Sequence, residues 1–306
     1  MKYIIAATTM VNDLYFADGK VVKRLLGGGI YCIPGILPFC QDLGYVSACG
    51  PDFEDYYGDW FSANQLTTKG IRKDLSHTRY NAVEYLPDGQ WREYSIYGNS
   101  YVLENEEKMM LRAKDLEVFC DSQTLGIYSE SGVEEVYWNS ELDKIREMAP
   151  NAKLLWEVPT YNITDPIQRK QVLPVAKKTD LWSINLPEGK ELFGLNSETE
   201  VIDALKDFAI PCFFRVGEKG AYLIHDNQAV FAPAYEIDKS VDPTGCGNCS
   251  TAASLVGFTQ GWDPLKTVCA ANVTAAYTAK QTGPIAVINK EEIASVAMHF
   301  YQQMKR

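Results

Sequence analysis

The sequence predicts an α/β protein with a mainly parallel central sheet, helices on both faces and a small β-sheet set apart from it. Three observations predict this. Short apolar runs rich in β-branched or aromatic residues alternate with longer segments opened by helix-capping residues, the order of a sheet wound through helices. Two stretches near the N-terminus break that rhythm and read as hairpins. Finally, 46% of the 306 residues are hydrophobic, yet no run approaches 18 consecutive apolar residues, so a sizeable core is expected and a membrane span is not.

KYIIAAT (2–8) is the first strand; the N-terminal run around it lacks a small-residue cleavage site and is not read as a secretory leader. MVNDLYFADGKVVKR (10–24) reads as a hairpin turning at Asp18-Gly19. GYVSAC (44–49) is the next strand, with a helix expected between it and the first. TRYNAVEYLPDGQWREYSIY (78–97) reads as a second hairpin turning at Pro87-Asp88-Gly89, with Tyr80, Val83, Tyr85, Trp91, Tyr94 and Ile96 as apolar members. The two hairpins, about 10–24 and 78–97, would together make a lid that keeps water from a site. A surface ribbon or a homodimer contact is the alternative, since an exposed sheet edge wants a partner.

Further strands are expected at 117–120, 125–129, 153–158, 181–185 and 212–216. Helix starts stand between them. Thr164-Asp165-Pro166 offers a cap followed by proline, and Ser197 with Glu200 is a capping box. Asp263-Pro264 opens a helix through Ala279, and Asn289 with Glu292 opens the last one.

The formal charge of −11 and a pI near 4.9 argue against a nucleic-acid or anionic-membrane surface. They leave room for a small phosphorylated ligand, which a few N–H groups at a helix start hold locally. The 8 cysteines include several inside apolar segments, where the thiol acts as a small hydrophobe. A chain of this length needs no disulfide framework, so a reduced, cytoplasmic protein is expected.

One stretch admits two chemistries. In VDPTGCGNCS (241–250), Cys246 and Cys249 form a C-x-x-C pair, a redox centre or half a metal site. The 3 histidines (77, 225, 299) provide no second half, and buried thiols beside a functional backbone are the plainer reading. Alternatively, Gly245 and Gly247 bare backbone N–H groups where a strand-like stretch, Gln228–Ala234, leads through a short loop into a helix of small residues. Two glycines before a helix also occur in any tight turn.

The surroundings favour the anion. VDPTGCGN resembles the D-T-x-G-A-G-D signature of the ribokinase-like (PfkB-type) carbohydrate kinases. LGGGIY (26–31) with LGYVSACGPDFEDYYG (43–58) is similar to that family's glycine-rich first signature, and SINLPEGKELFG (183–194) to its N-x-x-E segment. FRVGEKGAYLI (214–224) resembles its nucleotide strand and turn, and ANVTAAYT (271–278) its late helix. The motifs run in the family's order along nearly the whole chain.

The resemblance implies one ribokinase-like domain over 1–306, a three-layer αβα sandwich with a mainly parallel sheet and a small β lid. It implies ATP-dependent phosphorylation of a hydroxyl on a sugar, polyol or nucleoside-like molecule, with Mg²⁺. By the same resemblance, Gly245, Cys246 and Gly247 would form an anion hole, and Asn185 with Glu188 would hold Mg²⁺ and its waters. Gly217, Gly220 and Asn272 would line the nucleotide pocket. Asp13, at the end of the first strand, would hold substrate hydroxyls beside Gly28 and Gly29 of the first signature.

Two positions depart from the pattern. The family's catalytic base is the last Asp of its signature, and here that residue is Asn248. An amide takes no proton from a hydroxyl at neutral pH, although it still orients one. General-base help contributes about 10²–10⁴-fold, whereas positioning and electrostatics carry most phosphoryl transfer. A slow kinase, or a silent relative that senses ligand, is therefore expected. The second departure is the stretch GGGIYCIPG, where Pro34 and Gly35 stand in the neighbourhood of a substrate-contacting Asn. With Cys32 and the aromatic lid, it points to a less polar acceptor.

Overall fold

The computed structural model of the chain describes residues 1–86 and 91–306. A nine-stranded sheet runs through it in the order β13-β12-β11-β10-β9-β8-β1-β4-β5. Its strands are β1 (Tyr3–Ala6), β4 (Leu43–Ala48), β5 (Ile71–Arg72), β8 (Gly126–Ser129), β9 (Lys153–Glu157), β10 (Leu181–Asn185), β11 (Cys212–Arg215), β12 (Gly220–His225) and β13 (Gln228–Pro233). Neighbours pair in parallel from β5 to β11, and β12 and β13 continue the sheet antiparallel.

Period-two side-chain alternation feeds two cores. Tyr3 and Ile5 of β1 pack on one face and Ile4 and Ala6 on the other; Phe213 and Phe214 of β11 divide the same way. Strands buried on both faces read as continuous apolar runs because helices cover both sides. On the first face lie the helices Phe53–Ala63, Cys246–Thr259, Pro264–Thr278 and Lys290–Met304. The other face is covered by Leu142–Met148, Arg169–Ala176 and Glu198–Phe208, among others.

The lid is a separate four-stranded sheet, in the order β3-β2-β6-β7, from β2 (Thr9–Tyr15), β3 (Val21–Gly28), β6 (Arg79–Tyr85) and β7 (Trp91–Ser95). Each hairpin is antiparallel, and β2 joins β6 in parallel. The first turn stands at Asp18-Gly19, with Gly19 at φ 85°. The second, expected at Pro87-Asp88-Gly89, lies outside the described residues.

Several expectations need correction. Residues 117–120 are not a strand. Phe119 and Cys120 donate to the Leu116 carbonyl, closing a helical turn that buries Leu116 and Phe119 and leaves Val118 half exposed. Between β1 and β4 the chain makes the first lid hairpin and only a short helical segment, Gly29–Ile36, in place of a full helix. The connection from β13 into the helix Cys246–Thr259 is not short: it spans 234–245. In Thr164-Asp165-Pro166 the cap is Asp165, which accepts from the Ile167 and Gln168 N–H groups, but the helix that follows starts only at Arg169 and runs to Ala176. The capping box at Ser197 and the starts at Asp263 and Asn289 form as expected.

Candidate active site

The helix Cys246–Thr259 begins at the C-terminal end of the parallel sheet, with Gly245 as N-cap in the left-handed region at φ 80°. No side chain caps it. Cys246 N–H closes a turn onto Pro243, while the Gly247 and Asn248 N–H groups meet no acceptor among the described residues. Two donors and the positive end of a 14-residue helix therefore point outward together. The helix is held there by close backbone approach. A Cβ on Gly35 would overlap the Cys249 carbonyl, one on Gly245 would overlap the Tyr31 ring, and one on Gly247 the Arg215 guanidinium.

Of the two donor residues, Gly247 borders a cleft of about 780 Å³ and Asn248 does not. Asn185, Gly217, Gly220, Cys246, Gly247 and Asn272, six of the residues singled out in the sequence, line it together. Their neighbours include Ala234, Tyr235, Ile237, Ala275 and Ala276, an apolar wall opposite the polar floor. A mostly apolar cleft with a few convergent polar groups is the usual form of a small-molecule site.

Several of these residues are engaged differently from expectation. Asn272 borders the cleft, but its amide donates to the Ala232 and Pro233 carbonyls at 2.9 and 2.8 Å, clamping its helix to β13. Asn185 and Glu188 form a reciprocal capping box: Glu188 N–H donates to Asn185 Oδ1 at 2.9 Å, and Asn185 N–H to Glu188 Oε2 at 2.8 Å. Thr160 adds a bond to Glu188 Oε1. Among the described residues no group of three His, Cys, Asp or Glu could hold a metal by itself. That donor set fits Mg²⁺ only as an ion bound chiefly by phosphate oxygens and water, with one or two protein oxygens behind it.

Asp13 does not stand at the end of the first strand. It lies within β2 of the lid, where its carboxylate accepts from Tyr80 at 2.6 Å and from Arg24 N–H at 2.9 Å. The break comes because β1 ends at Ala6 and Thr9 starts a new strand that pairs with the lid. On the opposite face of β2, Asn12 holds a buried side-chain oxygen without a partner among the described residues, beside Gly27. Gly28 and Gly29 pack tightly on Thr8 and Ala7, so their first task is contact with the chain leaving β1.

Three charged residues went unnoticed in the sequence. Arg215, at the end of β11, lines the cleft with Nη1 3.0 Å from Glu157 and Nη2 3.9 Å from Glu188. Burial opposes its charge, but the two carboxylates outweigh burial and raise its pKa. Glu157 also accepts from Tyr128 at 2.7 Å, and Asn248 Nδ2 donates to the same Tyr128 hydroxyl at 3.3 Å. Asn248 is thus linked through Tyr128 to a buried carboxylate. Glu130, buried nearby and accepting from Thr8 N–H at 2.6 Å, has its pKa raised to about 7, chiefly by burial.

The surroundings of the thiols weigh against the C-x-x-C reading. Burial raises Cys246 to about 11 and Cys249 to about 12, and Cys246 Sγ donates to the Ala275 carbonyl. A thiol held above its usual pKa is a poor nucleophile and a poor metal ligand.

Comparison with known proteins agrees with this architecture. Structures similar to this chain include adenosine kinase from Sinorhizobium meliloti, with a TM-score of 0.75, 16% identity and 97% of this chain and 99% of that one covered. Burkholderia thailandensis nucleoside kinase, solved with inosine, gives 0.71 and 15%, covering 99% and 97%. A protein assigned as ribokinase II from E. coli, solved with ATP and Mg²⁺, gives 0.75 and 18%, covering 99% of each chain. None of the curated proteins matches in sequence. The pfkB family carbohydrate kinase model matches residues 25–291, so with this fold and this sequence the chain belongs to the PfkB family of carbohydrate kinases.

Proposed function

We propose that the protein transfers the terminal phosphoryl group of ATP to a hydroxyl of a small sugar, polyol or nucleoside-like acceptor, slowly. The observation that carries this is the Gly247 N–H group, without an acceptor among the described residues, at the first turn of a helix that borders a nucleotide-sized cleft. Gly245, Cys246 and Gly247 shape the anion hole, with the Gly247 N–H as its donor because that of Cys246 is taken by Pro243; removal of one such donor typically costs about 10²–10³-fold. Gly217 and Gly220 shape the nucleotide side, while Asn272 fixes its wall. The apolar stretch between Tyr235 and Ala276 receives the base.

Asn185 and Glu188 stand behind Mg²⁺, which when bound neutralises charge developing on the phosphates. Asn248 orients the acceptor hydroxyl but takes no proton. Asp13, Gly28 and Gly29 belong to the acceptor side; Asp13 acts through the lid by holding Tyr80 and Arg24, and Asn12 is the lid residue with hydrogen-bonding capacity to spare. The domain is taken as one unit over 1–306, with the lid as its mobile part. We place a homodimer contact on the lid's open edges, β3 and β7, which expose Val21 and Tyr94. Sedimentation should give a dimer for the wild type and a shift to monomer for Tyr94→Lys; identical behaviour of the two removes that contact.

A second reading, a ligand sensor without turnover, draws on Asn248, whose amide is directed to Tyr128. Both readings are tested by ADP formation from ATP and Mg²⁺ across a panel of sugars, polyols and nucleosides. Acceptor-dependent ADP supports the kinase. Saturable binding with no ADP supports the sensor.

A further inference from the structure

Arg215 is a largely buried charged group in the cleft whose donors are only partly used. A guanidinium carries five N–H donors in a planar fork. Here Nη1 and Nη2 make single-point approaches to two different carboxylates, 3.0 Å to Glu157 and 3.9 Å to Glu188, instead of a parallel pair. Nε is fully buried and has no partner among the described residues. The side chain is 15% exposed, and its exposed part faces the cleft. Buried polar groups left unpaired are rare and call for a cause.

Its position adds to the anomaly. A Cβ on Gly247 would overlap Nη1, so the guanidinium lies against the first turn of the helix Cys246–Thr259. A cation is unfavourable beside a helix N-terminus. Two carboxylates and, beside them, a Gly247 N–H without an acceptor among the described residues leave a site that a further anion would complete. Phosphoryl oxygens suit both the planar guanidinium and the helix N–H groups.

We infer that Arg215 reads the terminal phosphate of the cleft's ligand, bridging it to the Gly247 N–H group and loosening its hold on Glu157 as it does so. The inference rests on the nucleotide reading above and sharpens it. Arg215 makes the cleft select polyphosphates over the unphosphorylated nucleoside. Glu157 keeps its bond from Tyr128 and competes with the ligand for the guanidinium. The residue follows three positions after the start of β11, and its partners come from β9 and the segment after β10, so only the sheet order joins them.

The test is equilibrium titration of the full chain with ATP, adenosine and inorganic tripolyphosphate, for the wild type, Arg215→Met, Arg215→Lys and Glu157→Gln. Arg215→Met should weaken ATP and tripolyphosphate about 10- to 100-fold and leave adenosine unchanged. Arg215→Lys should fall between, because an ammonium keeps the charge without the fork. Glu157→Gln removes the competitor and should tighten ATP several-fold.

ATP binding unchanged or tighter in Arg215→Met would overturn the inference, as would equal losses for ATP and adenosine. Should Arg215→Met fail to fold, Glu157→Gln decides: tighter ATP upholds the inference and unchanged ATP overturns it. Wild-type binding of tripolyphosphate through Arg215, without ATP or adenosine, would uphold Arg215 and sink the nucleotide reading. Nucleotide binding indifferent to both Arg215 variants would do the reverse. Failure of the wild type to bind any probe would sink both.

Discussion

The chemistry of the site belongs to backbone atoms more than to side chains. Cys246 lines the cleft and Cys249 lies one turn behind it, wholly enclosed, and burial holds both thiols above the usual range. Replacing both with Ser should therefore leave ATP affinity within about threefold, with a modest stability loss of about 1 kcal/mol from the buried hydroxyl. Titration and a melting curve check this; loss of activity with binding intact would restore a thiol mechanism. The two glycines and the small-residue run were legible because backbone approach to a ligand requires residues without bulk. Arg215 and Glu157 were not. They are 58 positions apart, and neither sits in a spacing pattern; they meet because β9, β10 and β11 are sheet neighbours.

Among the elements, the helix Cys246–Thr259 does the most. It is buried on nearly every side from Cys249 to Gly257, so no amphipathic stripe marks it in the sequence. Its seating depends on small residues in other segments. At Gly35 an added methyl would drive into the Cys249 carbonyl, which a rigid helix backbone cannot yield. Gly35→Ala should cost about 1–3 kcal/mol of stability and weaken ATP binding as the helix start shifts. Denaturant unfolding with parallel titration checks both; a full-strength site in a destabilised protein would separate seating from binding. Most strands and capped helices were legible from alternation and caps. The failure at 117–120 arose because a four-residue apolar run does not reveal whether its period is two or three to four. Asp13 was misplaced by one strand because a break of two residues after Ala6 leaves no trace in hydropathy.

At the scale of the whole molecule, two enclosed carboxyl groups make stability depend on pH. Glu130 and Glu135 both have pKa values raised to about 7 from 4.5, mainly by burial and against hydrogen bonds from Thr8 and Gly132. Between these values the folded chain holds protons that the unfolded chain has released. Stability contributed by the two groups should thus be full below about pH 4.5, fall as pH rises to about 7, and level off above it. Glu130→Gln should flatten that slope in urea unfolding at several pH values; an unchanged slope would mean Glu130 is already ionised in the folded protein. The parallel sheet, its covering by helices on both faces and the small second sheet were readable from the order of elements. The cleft was not, because it exists only where β11, β13 and two late helices converge.

The central claim is that this fold still performs phosphoryl transfer with an amide in place of the base. The direct measurement is acceptor-dependent ADP formation by the wild type and by Asn248→Asp, side by side, with Mg²⁺ and saturating ATP. The account predicts a low but acceptor-dependent rate for the wild type and a rise of about 10²–10⁴-fold in the variant. ATP bound by both proteins, with no acceptor-dependent ADP from either, would contradict it.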